Sequence, residues 1–214
     1  PERSSAEEWS FQITPYIWAP GIDTSLNIGP NPPVDGSTSI LDILDGAFLV
    51  GGRATRDRWS VFGEINYLSL GDDIAPGIAA LDASWSLDGV MGSLNLGYAV
   101  YETKHTRTEV FGGVRAWSLD IETEVRSSKA TATRSWTDPI VGARIETNIA
   151  DRVQFAGLVD VGGLGVGSEL QWEALAEVSW AMTDSVSLVG GYRYLDLEFD
   201  DDRLVLEDRK STRL

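Results

Sequence analysis

The chain has no cysteine, a single histidine and no long apolar run. Without cysteine it can form neither a disulfide scaffold nor a thiolate metal site. Its 214 residues contain no stretch close to the roughly 18 consecutive apolar residues that a membrane-spanning helix requires. The sequence therefore excludes a helical membrane protein, and the fold must be found in a different pattern.

Positive charge is also scarce. The formal net charge is -16 at pH 7, from 17 Lys and Arg against 33 Asp and Glu. Because nucleic-acid binding depends on Lys and Arg that neutralise phosphates, this balance disfavours nucleic acid as a partner. The N-terminus shows no signal peptide, and residues 1–8 are expected to be a disordered mature N-terminus, so export is inferred from the strand pattern alone.

What the sequence does contain is a repeated alternation of polar and apolar residues. Three segments share it, namely residues 62–71 (FGEINYLSLG), 111–120 (FGGVRAWSLD) and 189–198 (VGGYRYLDLE). In each segment a charged side chain, which is Glu64, Arg115 or Arg193, alternates with apolar or glycine neighbours. An alternation with a period of two is typical of a β-strand that separates two different environments.

The same alternation, bounded by turn residues, extends over the whole chain. The predicted strands are residues 9–26, 46–55, 59–70, 81–101, 107–125, 130–148, 152–164, 168–182 and 185–199, with a tenth from about 203. Short polar turns alternate with longer loops at the junctions, as in bacterial outer-membrane barrels. We therefore predict an all-β, antiparallel up-and-down transmembrane β-barrel of about ten strands, in a single domain over residues 9–207.

One face of the predicted strands suits lipid. It carries aromatic pairs eight positions apart, Trp59 with Tyr67 and Trp172 with Trp180. At roughly 3.3 Å per residue and a tilt of about 40°, each pair spans on the order of 20 Å along the membrane normal, close to the apolar belt between aromatic girdles. These four residues, together with Tyr192, are predicted to form the aromatic girdle.

The opposite face carries charges that are predicted to point into a lumen. Continuing the same phase along the chain collects Arg53, Glu64, Arg115, Arg144, Glu146, Asp160, Glu173, Glu177 and Arg193. The two signs are nearly balanced, which favours a salt-bridged network, because buried charges persist when they are paired. A barrel of about ten strands is only modestly wider than one that its side chains fill. A plugged lumen is therefore predicted, with a narrow polar conduit as the alternative.

Toward the loops the predicted inward positions become apolar: Leu195, Leu197 and Phe199 on one strand, and Trp117, Leu119 and Ile121 on another. Three interpretations fit this change. A hydrophobic cluster could seal the outer mouth, an apolar vestibule could receive a small hydrophobic ligand, or a β-bulge could exchange the two faces. Sealing is favoured, and residues 37–45 (STSILDILD) are predicted to add a short amphipathic helical turn there.

Enzymatic chemistry is not predicted. His105 lies in a predicted periplasmic turn, away from the rim where a Ser-His or Asp-His enzyme would need it. Glu173 and Glu177 are about 13 Å apart along one strand, too far for acid-base partnership. The acidic residues within 196–202 lack an EF-hand spacing and are interpreted as a solvated loop, with Ca²⁺ or Mg²⁺ binding as the alternative. No cofactor and no metal are predicted.

Four segments carry a resemblance to known proteins: residues 14–21 (TPYIWAPG), 136–144 (WTDPIVGAR), 162–167 (GGLGVG) and 191–196 (GYRYLD). They resemble a group of uncharacterised bacterial outer-membrane β-barrel proteins, within the wider small-barrel superfamily of OmpW-like and opacity-like proteins. The resemblance covers nearly all of residues 9–207. It implies a porin-like fold and a location in the Gram-negative cell envelope, but no particular activity.

The expected protein is thus a non-enzymatic integral outer-membrane barrel with acidic surface loops. Its expected partners are outer-membrane lipid and lipopolysaccharide and the barrel-insertion machinery, with a small-molecule solute if the lumen conducts. A narrow channel for small or hydrophobic solutes and a soluble ligand-binding β-barrel are the alternatives.

The last residues depart from the pattern. Outer-membrane barrels usually end in a strand with a terminal aromatic residue, whereas residues 208–214 (DRKSTRL) show no alternation. We interpret this segment as a non-native-looking tail, so that the closing strand is expected to be missing. A genuine basic tail is the alternative. Open strand edges are not tolerated in hydrocarbon, so a chain without that strand is expected to insert poorly.

Overall fold

The computed structural model describes residues 8–16, 44–73, 83–125 and 128–198. Within these ranges the chain is all-β and contains no helix. Its strands are β1 (Ser10–Pro15), β2 (Leu44–Arg56), β3 (Trp59–Asp73), β4 (Ala83–Glu102), β5 (Thr106–Val125), β6 (Ser128–Ala150), β7 (Val153–Gly163), β8 (Leu170–Ala181) and β9 (Ser187–Glu198). Accordingly, no membrane-crossing helix is found among the described residues.

The strands follow one another in the sheet in chain order, from β1 to β9. Pairing is antiparallel between β1 and β2, β2 and β3, and β3 and β4, and again between β6 and β7, β7 and β8, and β8 and β9. This order confirms the predicted all-β, antiparallel up-and-down fold and is consistent with a β-barrel of that topology.

The short turns that were predicted join these strands. Asp57 and Arg58 alone connect β2 to β3, and Asp57 has a positive φ of 51°, which aspartate tolerates better than most residues. In the turn between β4 and β5 the Thr103 hydroxyl oxygen accepts the backbone N–H of His105 at 3.3 Å and of Thr106 at 3.0 Å. A threonine hydroxyl thus supplies the acceptor that the chain reversal would otherwise lack.

The same device shortens β9. The Thr183 hydroxyl oxygen accepts the backbone N–H of Ser185 at 3.2 Å and of Val186 at 3.0 Å, so residues 182–186 form a turn and β9 begins two residues later than predicted. The start of β8 also shifts, from residue 168 to Leu170, because Ser168 is drawn into contacts with Asp138. Both strands start later than predicted because side-chain oxygens compete with the strand ladder for backbone N–H groups.

Some predictions fall on residues outside the described ranges. These are residues 17–26 of the first predicted strand, residues 37–43 of the predicted helical turn, the tenth strand, Phe199, the acidic residues 200–202, residues 1–7 and the tail at 208–214. The last two residues of the predicted helical turn are described, and there the prediction was wrong. Leu44 begins β2 and pairs with Leu70, so the strand starts before the predicted residue 46.

The chain divides into two compact units. Unit 1 comprises Pro1–Tyr98 and Gly113–Trp136, and unit 2 comprises Ala99–Gly112 and Thr137–Leu214. In unit 1 the register places Phe62 opposite Asn95 and Asn66 opposite Met91, and all four side chains are buried. In unit 2 Asp160 lies opposite Glu173, and both are buried. Each unit therefore buries a face that mixes apolar with polar and charged groups.

Candidate functional site

The exposed face of each unit is apolar. In unit 1, Ile13 exposes 77% of its surface and Leu94 exposes 60%. In unit 2, Val141, Val159 and Leu188 are likewise exposed. A water-soluble antiparallel sheet places its apolar face on the core and its polar face in water. Here the arrangement is reversed, and the exposed apolar side chains are neighbours in register rather than scattered single residues.

The five predicted girdle residues all lie on this exposed face. In unit 1, Tyr67 donates its hydroxyl to Asp88 Oδ1 at 3.1 Å. In unit 2, Trp172 donates its indole N–H to Asp196 Oδ2 at 3.2 Å. Each ring thus lies on apolar surface while its polar tip meets a carboxylate, which is the environment that such amphipathic side chains favour at an apolar-polar boundary.

The other three girdle residues have different surroundings. Trp59 lies in edge-to-face contact with Tyr98, their ring centres 4.9 Å apart, next to the turn between β2 and β3. Trp180 lies beside the turn between β8 and β9. Tyr192 is opposite Ala176, midway along β8 between Trp172 and Trp180. We call the part of the exposed face between Trp172 and Trp180 in β8, and between Trp59 and Tyr67 in β3, the apolar band. The register places Tyr192 in the middle of this band.

The nine predicted inward charges lie on the buried side of the strands, and we call the surface that they form in each unit the polar face. Taken as whole residues, backbone included, Arg115, Asp160 and Glu173 are buried, and the half-buried members are Arg53, Glu64, Arg144, Glu146, Glu177 and Arg193. None of these charged side chains is on the exposed face, where a charge would stand among apolar side chains.

In unit 1 the polar face is tied together by Tyr16. Its hydroxyl oxygen is 2.6 Å from Glu64 Oε2 and 2.5 Å from Asn66 Oδ1. One hydroxyl carries one proton, so it donates to one of these acceptors at a time. Arg53 extends the cluster, with its guanidinium carbon 5.5 Å from the centre of the Phe62 ring in a cation–π contact. Tyr16 thus links the end of β1 to the middle of β3.

In unit 2 the polar face is a set of ion pairs. Arg144 Nη2 lies 2.8 Å from Glu146 Oε1 along β6. Arg193 Nη2 lies 3.0 Å from Glu173 Oε2 across the β8 and β9 pair, and both side chains are almost fully buried. The structure therefore brings together four of the predicted lumen charges in two pairs. Such pairing is what allows charges to persist away from water.

Several buried polar residues were missed by the sequence analysis. The charged ones are Glu109 and Asp138, and the neutral ones are Asn95 and Ser168. Arg107 bridges two carboxylates, because its Nε is 2.6 Å from Glu109 Oε1 and its Nη1 is 2.9 Å from Glu102 Oε1. A signal was present: Glu109 is six residues before Arg115 and Asp138 is six before Arg144, and even separations on a strand share a face.

The apolar inward positions near the loops are on the polar face in β9. Leu195 lies opposite Glu173 and Leu197 opposite Gln171, in an unbroken register. No β-bulge therefore exchanges the faces between β8 and β9. In unit 1, Trp117 stacks on Trp136 with ring centres 5.7 Å apart and planes 13° from parallel. Among the described residues that were predicted as apolar inward positions, Ile121 is exposed, whereas the others are half-buried.

The structure offers little for chemistry in the described ranges. His105 is an exposed turn residue, and its backbone carbonyl accepts the N–H of Asn148 at 2.8 Å. Within those ranges no group of three or more His, Asp or Glu side chains is arranged to hold a metal ion. Asp196 has its carboxylate engaged by Trp172 at 3.2 Å.

Fold and faces together define a class: an antiparallel all-β protein, in chain order, with a buried charged face and an exposed apolar face. No protein-family model, curated protein or solved structure matches the chain. The resemblance to outer-membrane barrels therefore remains a prediction from the residues that carry it.

Proposed function

We propose that this protein is a non-enzymatic integral outer-membrane β-barrel protein whose interior is a charge-paired plug. The observation that carries the proposal is the reversal of the two faces. Ile13, Leu94 and Val159 are exposed, whereas Glu109, Asp138 and Glu173 are buried. A lipid bilayer accounts for both at once, because hydrocarbon covers the apolar face and excludes the charges to the interior.

The alternative of a soluble ligand-binding β-barrel fits this distribution poorly. Such a barrel holds its ligand against inward apolar side chains and presents polar ones to water. Here the fully buried side chains include Glu109, Asp138 and Gln171, while the exposed face carries tryptophan, leucine and valine. In water that exposed surface would be a large aggregation-prone patch.

A plug accounts for the buried face better than an open pore. Arg193 with Glu173 and Arg107 with Glu109 are matched pairs at hydrogen-bonding distance, so their charges are directed at each other rather than toward a passing solute. Arg144 and Glu146 are the observation that favours a narrow channel as a second candidate. Each keeps 16% of its side chain accessible, so this part of the polar face is open to solvent.

The location is tested by refolding the full chain in detergent micelles and, separately, in plain buffer. We expect the unboiled protein to migrate differently from the boiled protein on a denaturing gel only after refolding with detergent, because only then is the apolar face covered. Partners in the outer membrane would be lipid, lipopolysaccharide and the barrel-insertion machinery. Cooperative folding in buffer alone would contradict the membrane proposal.

The plug is tested by single-channel recording on the refolded protein in planar bilayers. We expect no conductance steps from the natural chain or from the Arg115→Ser variant, since neutralising one buried charge does not open a filled interior. The matched variant Arg193→Ser removes one member of an ion pair and serves as the comparison. Stable conductance steps in the natural chain, altered in amplitude or ion selectivity by Arg193→Ser, would favour the channel.

A further inference from the structure

The loop between β7 and β8 is compact and closed on itself. Gly163 and Gly165 have φ angles of 84° and 76°, and Leu164 between them has a φ of 50°. The backbone N–H of Gly165 donates to the Ser168 carbonyl at 3.0 Å, and that of Val166 donates to the Gly163 carbonyl at 3.0 Å. Three successive left-handed residues turn the chain back, so that Ser168 is brought inward.

A carboxylate from another strand holds this loop. Asp138, which belongs to β6, accepts the backbone N–H of Gly167 at 3.1 Å and of Ser168 at 2.8 Å on one oxygen. Its second oxygen accepts the Ser168 hydroxyl at 2.8 Å. Asp138 is fully buried and Ser168 is 2% exposed. Hydrogen bonds to an ionised acceptor are about twice as strong as neutral ones, and three of them converge on a single side chain.

The loop adjoins the most deeply buried part of unit 2, because Gly162 and Gln171, which pair just before and just after it, belong to that part. Gln171 is fully buried and Ile140 nearly so. Gly162, near the end of β7 before the loop, is closely packed: a Cβ there would clash with the Ile140 side chain and come within 3.1 Å of Gln171 Nε2. Asp160 and Glu173 lie next along the same face, two residues from Gly162 and Gln171. The loop therefore lies at one end of the polar face, next to Gln171.

The attachment of the loop depends on Asp138 rather than on apolar packing. Leu164 and Val166, the apolar side chains at its tip, are both exposed. On the other side, the Glu169 N–H donates to the Glu198 carbonyl at 3.0 Å, which merely continues the pairing of β8 with β9. The residues between Gly163 and Glu169 thus have one strong tertiary attachment.

We propose that residues 164–168 form a lid over the polar face of unit 2, and that Asp138 is its latch. Releasing the latch exposes Gln171 and opens the way to Asp160 and Glu173. The inference does not depend on the membrane location, because every contact that supports it lies within unit 2. It assigns to Asp138 a role in controlling access to the polar face.

The test uses the absence of cysteine. A single Gln171→Cys reporter places the only thiol of the chain beneath the lid, so that its rate of reaction with a maleimide measures lid opening. Adding Asp138→Ala should raise that rate at least about tenfold, since three hydrogen bonds to a charged group are lost. Asp151→Ala, which removes an exposed aspartate from the turn between β6 and β7, should leave the rate unchanged.

A rate that is equal with and without Asp138→Ala would overturn the proposal, as would an equal rise with Asp151→Ala. If Asp138→Ala does not fold, the milder variant Ser168→Ala decides the question without the reporter. It removes one of the three hydrogen bonds, and the backbone amide protons at positions 167 and 168 should then exchange with solvent several-fold faster than they do in the natural chain. Unchanged exchange would equally overturn the latch.

Discussion

Replacing Leu94 by arginine is expected to leave most of the protein molecules unfolded in lipid vesicles. Leu94 exposes 60% of its surface on the apolar face and lies opposite Gly63, which is midway between Trp59 and Tyr67 in β3. An arginine at the bilayer midplane costs about 2–4 kcal/mol in membrane barrels, enough to shift a folding equilibrium by one to three powers of ten. The folded fraction is read from the heat-dependent shift in gel mobility.

The matched control is Val186→Arg. Val186 is 54% exposed, close to the value for Leu94, but it lies in the turn between β8 and β9, outside the apolar band. We expect this substitution to change the free energy of unfolding by no more than about 0.5 kcal/mol, as is usual for exposed positions. Equal tolerance of the two arginines would show that water, and not hydrocarbon, surrounds Leu94.

The second large effect is expected from Arg193→Met. Arg193 and Glu173 are 8% and 4% exposed, and Asp160 lies directly opposite Glu173 in the neighbouring strand. Removing the guanidinium leaves Glu173 buried without this cationic partner and facing another buried carboxylate. Breaking one side of a buried pair typically costs about 3–5 kcal/mol of folding free energy. Denaturant unfolding in detergent micelles, followed by tryptophan fluorescence, gives that free energy.

The double variant Arg193→Met with Glu173→Gln separates the ion pair from simple loss of packing. Neutralising both partners removes the uncompensated charge, so the double variant should recover much of the stability that Arg193→Met loses. The difference between the double variant and the sum of the single ones is the coupling energy. Effects that simply add would mean that Arg193 is not stabilised by Glu173, and would remove one support of the plug.

The strands and their faces could be predicted from the sequence because a period of two needs only neighbours along the chain. The phase that puts Trp172 and Trp180 on one side of β8 puts Glu173 and Glu177 on the other, whatever the partner strand is. The alternation along one strand does not contain the alignment of that strand with its neighbours, and the register supplies it. That Tyr192 lies opposite Ala176, in the middle of the band, depends on how β9 is aligned with β8.

The latch at Asp138 could not be predicted in the same way. Asp138 and Ser168 are thirty residues apart, and their contact depends on three positive φ angles in the intervening loop. The phase of β6 could have indicated that Asp138 faces inward, but it contains no information about the partner of Asp138. The link from Tyr16 to Glu64 is of the same kind, since it joins residues 48 positions apart through a side chain just beyond the end of β1. Contacts made by side chains at strand ends therefore needed the structure.

The division of each strand into two faces also determines the stage of folding at which a contiguous apolar surface forms. Along the unfolded chain the apolar residues of β3 and β8 are interrupted by polar ones, and no apolar run in either strand exceeds about three residues, so neither strand offers a long continuous apolar segment for aggregation. A contiguous apolar surface arises only when neighbouring strands pair and their side chains fall into rows. In the proposed membrane location, the strands would pair as the chain enters lipid. Before that step, the unfolded chain would cross the aqueous compartment without a contiguous apolar surface that needs to be shielded from water.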